Sequence, residues 1–258
     1  MRKVPAAVFV LAAMFPVVEA ATIPVLFSEG VTRGFLVVRS LQGTIVAHGD
    51  LVQTVRNGEL DKRMTLNFKD GSILDEKVTF TQQGVFALKK YRLVEKGPTF
   101  DADTEISLTP ANGAYRVAKK DHKNGREKID EGSIEVPADV YNGMLLTIVK
   151  DLPTGAAKVV HFVAFTPQPR IIEIEFSPLA AKDKVKIGDL TREAVHYVMK
   201  PKLGVWLKFF AKVLGRVPPD LHAWIIPDEI PTFVAFQGIV GTTDDVWKIE
   251  AISPRRDD

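Results

Sequence analysis

Apolar and polar residues alternate along several stretches of this chain, and this period of two restricts the fold more than any other feature. Residues 63–69 place Met64, Leu66 and Phe68 on one face and polar side chains on the other, the pattern of a strand with one buried face. Asp70-Gly71 follows directly, and this pair favours the tight turn of a β-hairpin. With similar stretches after it, the first half of the chain predicts an antiparallel meander.

The second half continues the strand pattern. Val159–Phe165 is apolar at nearly every position, which predicts a strand that is central or covered on both sides. Arg170–Phe176 and Thr191–Lys200 alternate more cleanly, and three further apolar segments follow residue 222. The predicted fold is therefore mainly β: a large curved antiparallel sheet, either a half-barrel or an open barrel, with ten or more strands and two amphipathic helices.

The first predicted helix begins after Asp139, a residue type that caps helix N-termini. Its apolar positions are spaced by 3, 1, 3 and 4 residues, which places them on one helical face; they are Tyr141, Met144, Leu145, Ile148 and Leu152. Gly143 lies inside this segment and weakens its helical preference.

The second predicted helix spans Lys202–Gly215 and ends before Pro218-Pro219. Its apolar arc covers roughly 200°, about twice the width usual for a surface helix. One interpretation is a helix buried in the concave side of the sheet; the other is a partly exposed helix that contacts lipid, an acyl chain or a partner. The second interpretation predicts a ligand-binding set consisting of Trp206, Leu207, Phe209, Phe210 and Val213.

The first twenty residues have the pattern of a secretory signal: Arg2 and Lys3, an apolar run from Val4 to Val18, and a small residue at position 20. We expect residues 1–20 to be a signal peptide and residues 21–258 to be a single β-rich domain. The protein is then exported, soluble and periplasmic. The sequence has no cysteine, which excludes disulfides, thiolate metal sites and an anchoring lipid on a cysteine.

Charge argues against nucleic acid as a partner. The full chain has 34 basic and 32 acidic residues. Removing residues 1–20 leaves 32 basic and 31 acidic residues, so the net charge is about +1. A nearly neutral chain has no strong field to attract nucleic acid or an anionic membrane, although local contact with a membrane surface stays open.

The sequence shows no catalytic motif. None of the five histidines has another within four positions, and glycine-rich phosphate loops are absent. His161 is expected to be a satisfied core or edge residue, and His222 to belong to a turn or cap. Ser72 and Ser133 fit hairpin turns rather than a nucleophile elbow. We therefore predict no catalytic residue, no metal and no cofactor.

Two charged segments have alternative interpretations. Asp101, Asp103 and Glu105 would share a face in a strand and could hold Ca²⁺, but a solvated loop between strands is the simpler interpretation. The segment Lys119–Lys128 contains Gly125 and mixed charges, which predicts a long exposed hairpin.

Particular stretches of the chain resemble known sequences. They are 139–144 (DVYNGM), 165–170 (FTPQPR), 215–220 (GRVPPD) with Trp224, and 247–250 (WKIE). These stretches resemble uncharacterised exported bacterial proteins of a domain-of-unknown-function family, over most of the chain after residue 20. That family has no known catalytic residues to transfer. The architecture is also loosely similar to the periplasmic lipoprotein carriers, whose half-barrels shelter acyl chains.

Three hypotheses follow from these patterns. The first is an exported non-enzymatic protein that binds an apolar or lipid-like ligand in the concave side of the curved sheet. The second is a protein-interaction module of the cell envelope whose hollow is filled by its own side chains. The third is a hydrolase, which requires a histidine and a carboxylate to converge in a pocket.

Overall fold

The computed structural model describes residues 22–152, 157–165, 168–187, 190–202, 219–243 and 245–252. Strands dominate these residues. Those of the first half are β1 (Thr32–Ser40), β2 (Ile45–Arg56), β3 (Glu59–Phe68), β4 (Ile73–Gln83), β5 (Val85–Lys96), β6 (Ala102–Thr109), β7 (Ala114–Asp121) and β8 (Glu127–Ser133). Those of the second half are β9 (Lys158–Phe165), β10 (Pro169–Pro178), β11 (Asp183–Ile187), β12 (Leu190–Lys202), β13 (Leu221–Ile226), β14 (Thr232–Ile239) and β15 (Val246–Ile252).

All these strands belong to one antiparallel sheet with two ladders, in which most neighbouring strands are also consecutive in sequence. The strand order is β8-β7-β6-β5-β4-β3-β2-β1-β15-β14-β13-β12-β10-β9, and β11 pairs with the first part of β12. The ladders meet where β1 pairs with β15, with Val38 opposite Ile249. The strands at the two ends of this order, β8 and β9, do not pair with each other, so the sheet is open.

The sheet is curved, because side chains from distant strands meet on one side of it. The ring of Tyr91 on β5 stacks on that of Phe165 on β9, with 6.3 Å between ring centroids. A single apolar core includes inward-facing residues of both ladders, such as Leu66 and Phe176. The predicted large, curved, antiparallel sheet is thus confirmed as an open barrel-like sheet.

The connection from β8 to β9 contains a segment that runs through the hollow of this sheet, here called the crossing segment (residues 137–152). Tyr141, Met144 and Ile148 on this segment have no exposed surface. The Tyr141 hydroxyl accepts a hydrogen bond from the backbone N–H of Ile23 over 2.8 Å. The crossing segment therefore fills part of the concave side with chain belonging to the protein itself.

The helix predicted after Asp139 is wrong in extent. Only α1 (Leu145–Ile148) and a 3₁₀ turn over Val149–Asp151 are helical. Residues 139–142 instead run along the free edge of β9, where Val140 forms a parallel bridge with His161. Gly143 then takes a φ of +70°, which no right-handed helix permits. Four of the five apolar residues are buried, as the pattern indicated, and Leu145 is partly buried, but only Leu145 and Ile148 lie in the helical turn.

The second predicted helix lies outside the described residues from Leu203 onward, and Lys202 is the last residue of β12. The described residues thus contain one short helix rather than two amphipathic helices. None of the helices in these ranges is long and apolar enough to cross a membrane.

Strand predictions succeeded more often than helix predictions. Val160 and Val163 are both buried on β9, as expected for a strand covered on both sides, although β9 lies at the end of the strand order rather than at its centre. The exposed hairpin over Lys119–Lys128 is present as β7 and β8. The solvated loop proposed for Asp101–Glu105 is wrong, because Ala102–Thr109 forms β6.

Candidate ligand cavity

A cavity of about 230 Å³ remains between the crossing segment and the inner face of the sheet. Most of its wall is apolar. The described lining residues are Met64, Glu76, Tyr91, Asn142, Gly143, Leu145, Leu146, Phe162, Val163, Ile172, Ile174, Leu221, Phe236, Ile239, Val240, Gly241 and Ile249. An apolar cavity of ~150 Å³ suffices to bind benzene, so this volume can hold a ligand of about nine non-hydrogen atoms.

The register of the sheet sets the apolar wall. Ile172 on β10 lies opposite Phe162 on β9, and Phe236 on β14 lies opposite Ile249 on β15. Directly opposed residues of an antiparallel pair point to the same face. Both pairs belong to the second-half ladder, which therefore contributes most of the apolar wall of the hollow.

Gly143 allows the crossing segment to approach β5 closely. A Cβ at this position would lie 3.2 Å from the ring of Tyr91 and 3.3 Å from Val78, closer than side chains normally pack. The positive φ of Gly143 is also unfavourable for residues with a side chain. Glycine thus fixes the distance between the crossing segment and the wall of the cavity.

One wall of the cavity is polar. The Tyr91 hydroxyl donates a hydrogen bond over 3.3 Å to Oε1 of Glu76. Glu76 lies inside the molecule but borders the cavity, so its side chain keeps some accessible surface. Burial raises the pKa of Glu76 above its ordinary value, and the nearby positive charge of Lys62 opposes this rise. Burial, together with the charge of Glu76, also raises the pKa of Tyr91 well above its usual range.

Lys62 is the cation beside this wall, and only 5% of it is exposed. Its ammonium donates hydrogen bonds to Oγ1 of Thr147 over 3.1 Å and to the carbonyl of Gly143 over 3.4 Å. Burial lowers the pKa of Lys62 from 10.5 to about 8, although the carboxylates of Glu76 and Glu29 act in the opposite direction. Lys62 therefore ties the crossing segment to β3.

The sequence contains a signal for these polar residues, because a charged side chain interrupts each of two apolar strand faces. The inner face of β3 has Lys62 between Leu60 and Met64, and that of β4 has Glu76 between Leu74 and Val78. A charged residue at a position where the period of two requires an apolar one marks a functional or structural exception. Tyr91 and Asn142 had no comparable signal.

The ligand-binding set predicted from sequence lies outside the described residues. This applies to Trp206, Leu207, Phe209, Phe210 and Val213. The chain leaves the described part at Lys202 and returns at Pro219, two residues before Leu221, which lines the cavity. The set stays a sequence-based prediction.

Three histidines pair with carboxylates elsewhere in the fold. His161 Nδ1 lies 2.8 Å from Asp139, His122 Nε2 lies 2.8 Å from Asp103, and His196 Nδ1 lies 3.1 Å from Asp183. No described histidine forms a hydrogen bond to a hydroxyl group or lines the cavity. These pairs therefore lack the adjacent nucleophile of a triad.

The individual histidine predictions had different outcomes. His161 is a satisfied edge residue, as expected. The turn or cap expected for His222 is wrong, because it lies on β13 and its Nδ1 is 2.9 Å from Nε2 of His196. The Ca²⁺ alternative at Asp103 and Glu105 finds no support, since Asp103 accepts hydrogen bonds from Gly97 and His122 and Glu105 pairs with Arg92. Among the described residues, no group of three potential ligands converges on a metal position.

The described fold and cavity define a class: an open, barrel-like, antiparallel β protein with a mainly apolar cavity on its concave side. One solved structure is similar to this chain, a β-barrel-like protein of domain of unknown function DUF1849 from Brucella abortus. The two chains are 9% identical, the match covers 86% of this chain and 96% of the other, and the TM-score is 0.44. That protein, like those that the sequence resembles, is of unknown function. No protein-family model and no curated protein matches the sequence.

Proposed function

We propose that this chain is an exported, non-enzymatic protein that binds an apolar or lipid-like ligand in the concave side of its sheet. The observation that supports the proposal is the cavity of about 230 Å³, whose wall is mainly apolar side chains from both ladders and the crossing segment. The export part rests on the signal pattern of residues 1–20. Contact with a membrane surface and the contribution of Trp206, Phe209 and Phe210 rest on the sequence.

Burial of apolar surface would supply the binding energy. Removing apolar surface from water contributes about 25 cal/mol per Å² before the costs of association. The cavity volume limits the buried part to about nine non-hydrogen atoms, by comparison with a cavity that holds benzene. The ligand is then one short chain or the end of a longer one, rather than a whole diacyl lipid.

A protein-interaction module of the cell envelope is the second candidate. It is favoured by the crossing segment, which already occupies part of the hollow with buried side chains such as Tyr141 and Met144. In that case the remaining cavity is a packing defect, and the partner binds elsewhere on the molecule.

Mass spectrometry of the purified protein distinguishes the two candidates. The full chain is produced with its own signal, purified from the exported fraction without detergent, and extracted for lipid analysis. A bound apolar compound in stoichiometric amount supports the ligand-binding function. Consistently empty protein that also binds no medium-chain probe in calorimetry contradicts it, and capture of a defined envelope protein by crosslinking then supports the second candidate.

A pair of adjacent substitutions locates the binding. Ile172→Phe adds volume to a residue that lines the cavity, whereas Ile171→Phe makes the same change at the neighbouring position, which is not among the lining residues. Because both isoleucines are partly buried on β10, they carry a similar risk of misfolding. We expect Ile172→Phe to weaken probe binding by about tenfold and Ile171→Phe to leave it nearly unchanged.

A further inference from the structure

The polar wall of the cavity contains a carboxylate with unused hydrogen-bonding capacity. Oε1 of Glu76 accepts the hydrogen bond from Tyr91, but Oε2 accepts none from the described residues. Glu76 is only partly buried and borders the cavity, so a carboxylate oxygen without a protein partner is left to a group inside the cavity. Because Glu76 lines the cavity, a ligand there is within reach of this carboxylate.

The nearest cation does not fill this vacancy. Lys62 directs its ammonium to Thr147 and Gly143 of the crossing segment. Lys62 lies opposite Val78, and Glu76 lies opposite Met64, so the two charged residues are diagonal neighbours on the inner face. Because Lys62 donates its hydrogen bonds to the crossing segment, the Glu76 carboxylate is available to a group inside the cavity.

The charges beside the wall disfavour a second anion. Lys62 acts to lower the pKa of Glu76 and Glu95, more weakly, acts to raise it, but the Lys62 ammonium already donates to Thr147 and Gly143. An anionic head placed here would meet a carboxylate at short range, in a medium where like charges repel more strongly than in water. A hydrogen-bond donor, in contrast, would satisfy the free oxygen and reduce the cost of burying the charge.

We propose that the cavity selects an apolar molecule whose end carries a hydrogen-bond donor, a hydroxyl or a primary amine, which binds Oε2 of Glu76. The apolar body lies against Phe162, Ile172 and Phe236, and the head lies against Oε2 of Glu76, on the oxygen that Tyr91 does not bind. Amphiphiles with a carboxylate head bind more weakly, although their chains would fit equally well. This inference rests on the proposed ligand-binding function and specifies the class of its ligand.

The test compares three probes of matched size by isothermal titration calorimetry with the full chain. The probes are 1-octanol, 1-octylamine and heptanoate, each with about nine non-hydrogen atoms, the number that the cavity volume allows. We expect octanol or octylamine to bind about tenfold more tightly than heptanoate, which is the factor that one hydrogen bond to a charged group provides. Which of the two binds more tightly distinguishes a neutral head from a cationic one.

Substitutions at neighbouring positions of β4 provide the control. Glu76→Gln keeps the volume and removes the charge, and it should weaken octylamine binding about tenfold. Asp75→Asn removes a carboxylate that pairs with Arg63 outside the cavity, and it should leave all three affinities unchanged. If Glu76→Gln does not fold, Tyr91→Phe tests the same wall by removing the donor on Oε1, which should strengthen the preference for donor heads.

The outcomes separate the inference from the proposed function. Equal binding of all three probes, unaffected by Glu76→Gln, overturns the role of Glu76 but keeps the cavity as a binding site. Preference for heptanoate also overturns it. If no probe binds and the extracted protein is empty, the ligand-binding function itself fails.

Discussion

The backbone N–H of Thr242 donates a hydrogen bond over 2.7 Å to the Glu95 carboxylate, although the two residues are 147 positions apart. The Thr242 hydroxyl donates to the other carboxylate oxygen. Glu95 belongs to β5 and has no exposed surface, whereas Thr242 belongs to the turn between β14 and β15. Burial raises the pKa of Glu95, and these hydrogen bonds counteract the rise. This contact joins the first-half ladder to the second-half ladder.

Gly241→Ala should disrupt this contact. A Cβ at Gly241 would collide with the Glu95 carboxylate, and the residue has a φ of +71°. Gly125 has a similar φ of +67° but open space where its Cβ would lie. We expect Gly125→Ala to cost about 1 kcal/mol from the backbone alone and Gly241→Ala to cost at least about 2 kcal/mol more. Urea unfolding of both variants measures the difference, and equal losses would contradict the assigned contact.

Asn142 replaces a strand residue at the free edge of β9. Its side-chain amide donates to the carbonyl of Val163 over 2.9 Å and accepts from the N–H of the same residue over 2.8 Å. Asn142→Asp loses the donor and places a carboxylate against a carbonyl, so we expect a loss of about 3 kcal/mol at neutral pH. The exposed Asn112→Asp should cost less than about 0.5 kcal/mol.

The pH dependence of Asn142→Asp provides a second check. The repulsion should raise the pKa of the introduced carboxyl above its unfolded value. A raised pKa means that the folded state holds the proton more tightly, so stability is recovered below the unfolded pKa and lost as pH increases through the folded one. Denaturation measured between pH 7 and pH 4 should therefore show a decreasing difference in unfolding free energy between Asn142→Asp and the wild type. A difference that does not change with pH would contradict the hydrogen bonds assigned to the Asn142 amide.

Lys62→Met should stabilise the protein at neutral pH. A pKa of about 8 in the folded state, below the ordinary 10.5, means that burial of the ionised ammonium costs about 3 kcal/mol at 1.36 kcal/mol per pH unit. After the loss of its hydrogen bonds to Thr147 and Gly143, we expect a net gain of about 1–2 kcal/mol. The pKa of Lys62 is lower in the folded state than in the unfolded state. The wild type therefore loses stability as pH falls from 10.5 through about 8, and it regains this stability above pH 10.5. The extra unfolding free energy of Lys62→Met should therefore decrease as pH rises from 8 to 10.5. Chemical denaturation of the variant and the wild type at pH 7 and pH 10 measures this change.

Asp151 attaches the beginning of the described chain to the crossing segment. Its Oδ1 accepts the backbone N–H groups of Leu26 and Phe27 over 2.6 and 2.8 Å. Asp151→Ala should cost about 1–3 kcal/mol and expose residues 22–30 to limited proteolysis while the sheet stays intact. Asp50→Ala removes only the exposed pair with Arg33 and should change neither property. Protection of residues 22–30 in Asp151→Ala would contradict this attachment.

The sequence predicted most of the strands because alternation and turn pairs are local signals. Residues 63–69 and Asp70-Gly71 form the expected strand and turn between β3 and β4. β1 was not recognised, since the sequence Phe35–Val38 is apolar without alternation. β6 was mistaken for a loop because its acidic residues pair with basic neighbours such as Arg92, a cross-strand relationship that a single segment does not show.

The candidate site was less predictable than the fold. The apolar spacing between Tyr141 and Leu152 indicated burial correctly, but it could not distinguish a helix from an extended segment held by the edge of β9. The hydrogen bond between Tyr91 and Glu76 depends on the pairing of β4 with β5. The contact between the two ladders depends on residues far apart in sequence, such as Glu95 and Thr242. Long-range relationships of this kind are set by tertiary packing rather than by local periodicity.

The pairing of β1 with β15 has a consequence for how the chain reaches its native state. Arg39 and Glu250 form an ion pair across this seam although 211 positions separate them. Each ladder can form by pairing strands that are close in sequence. The pairing of β1 with β15 can form only after both ladders exist, because closing so large a loop is entropically costly and slow. Before that moment both seam strands have unsatisfied backbone groups along one side, which makes the half-assembled chain prone to pairing with other molecules.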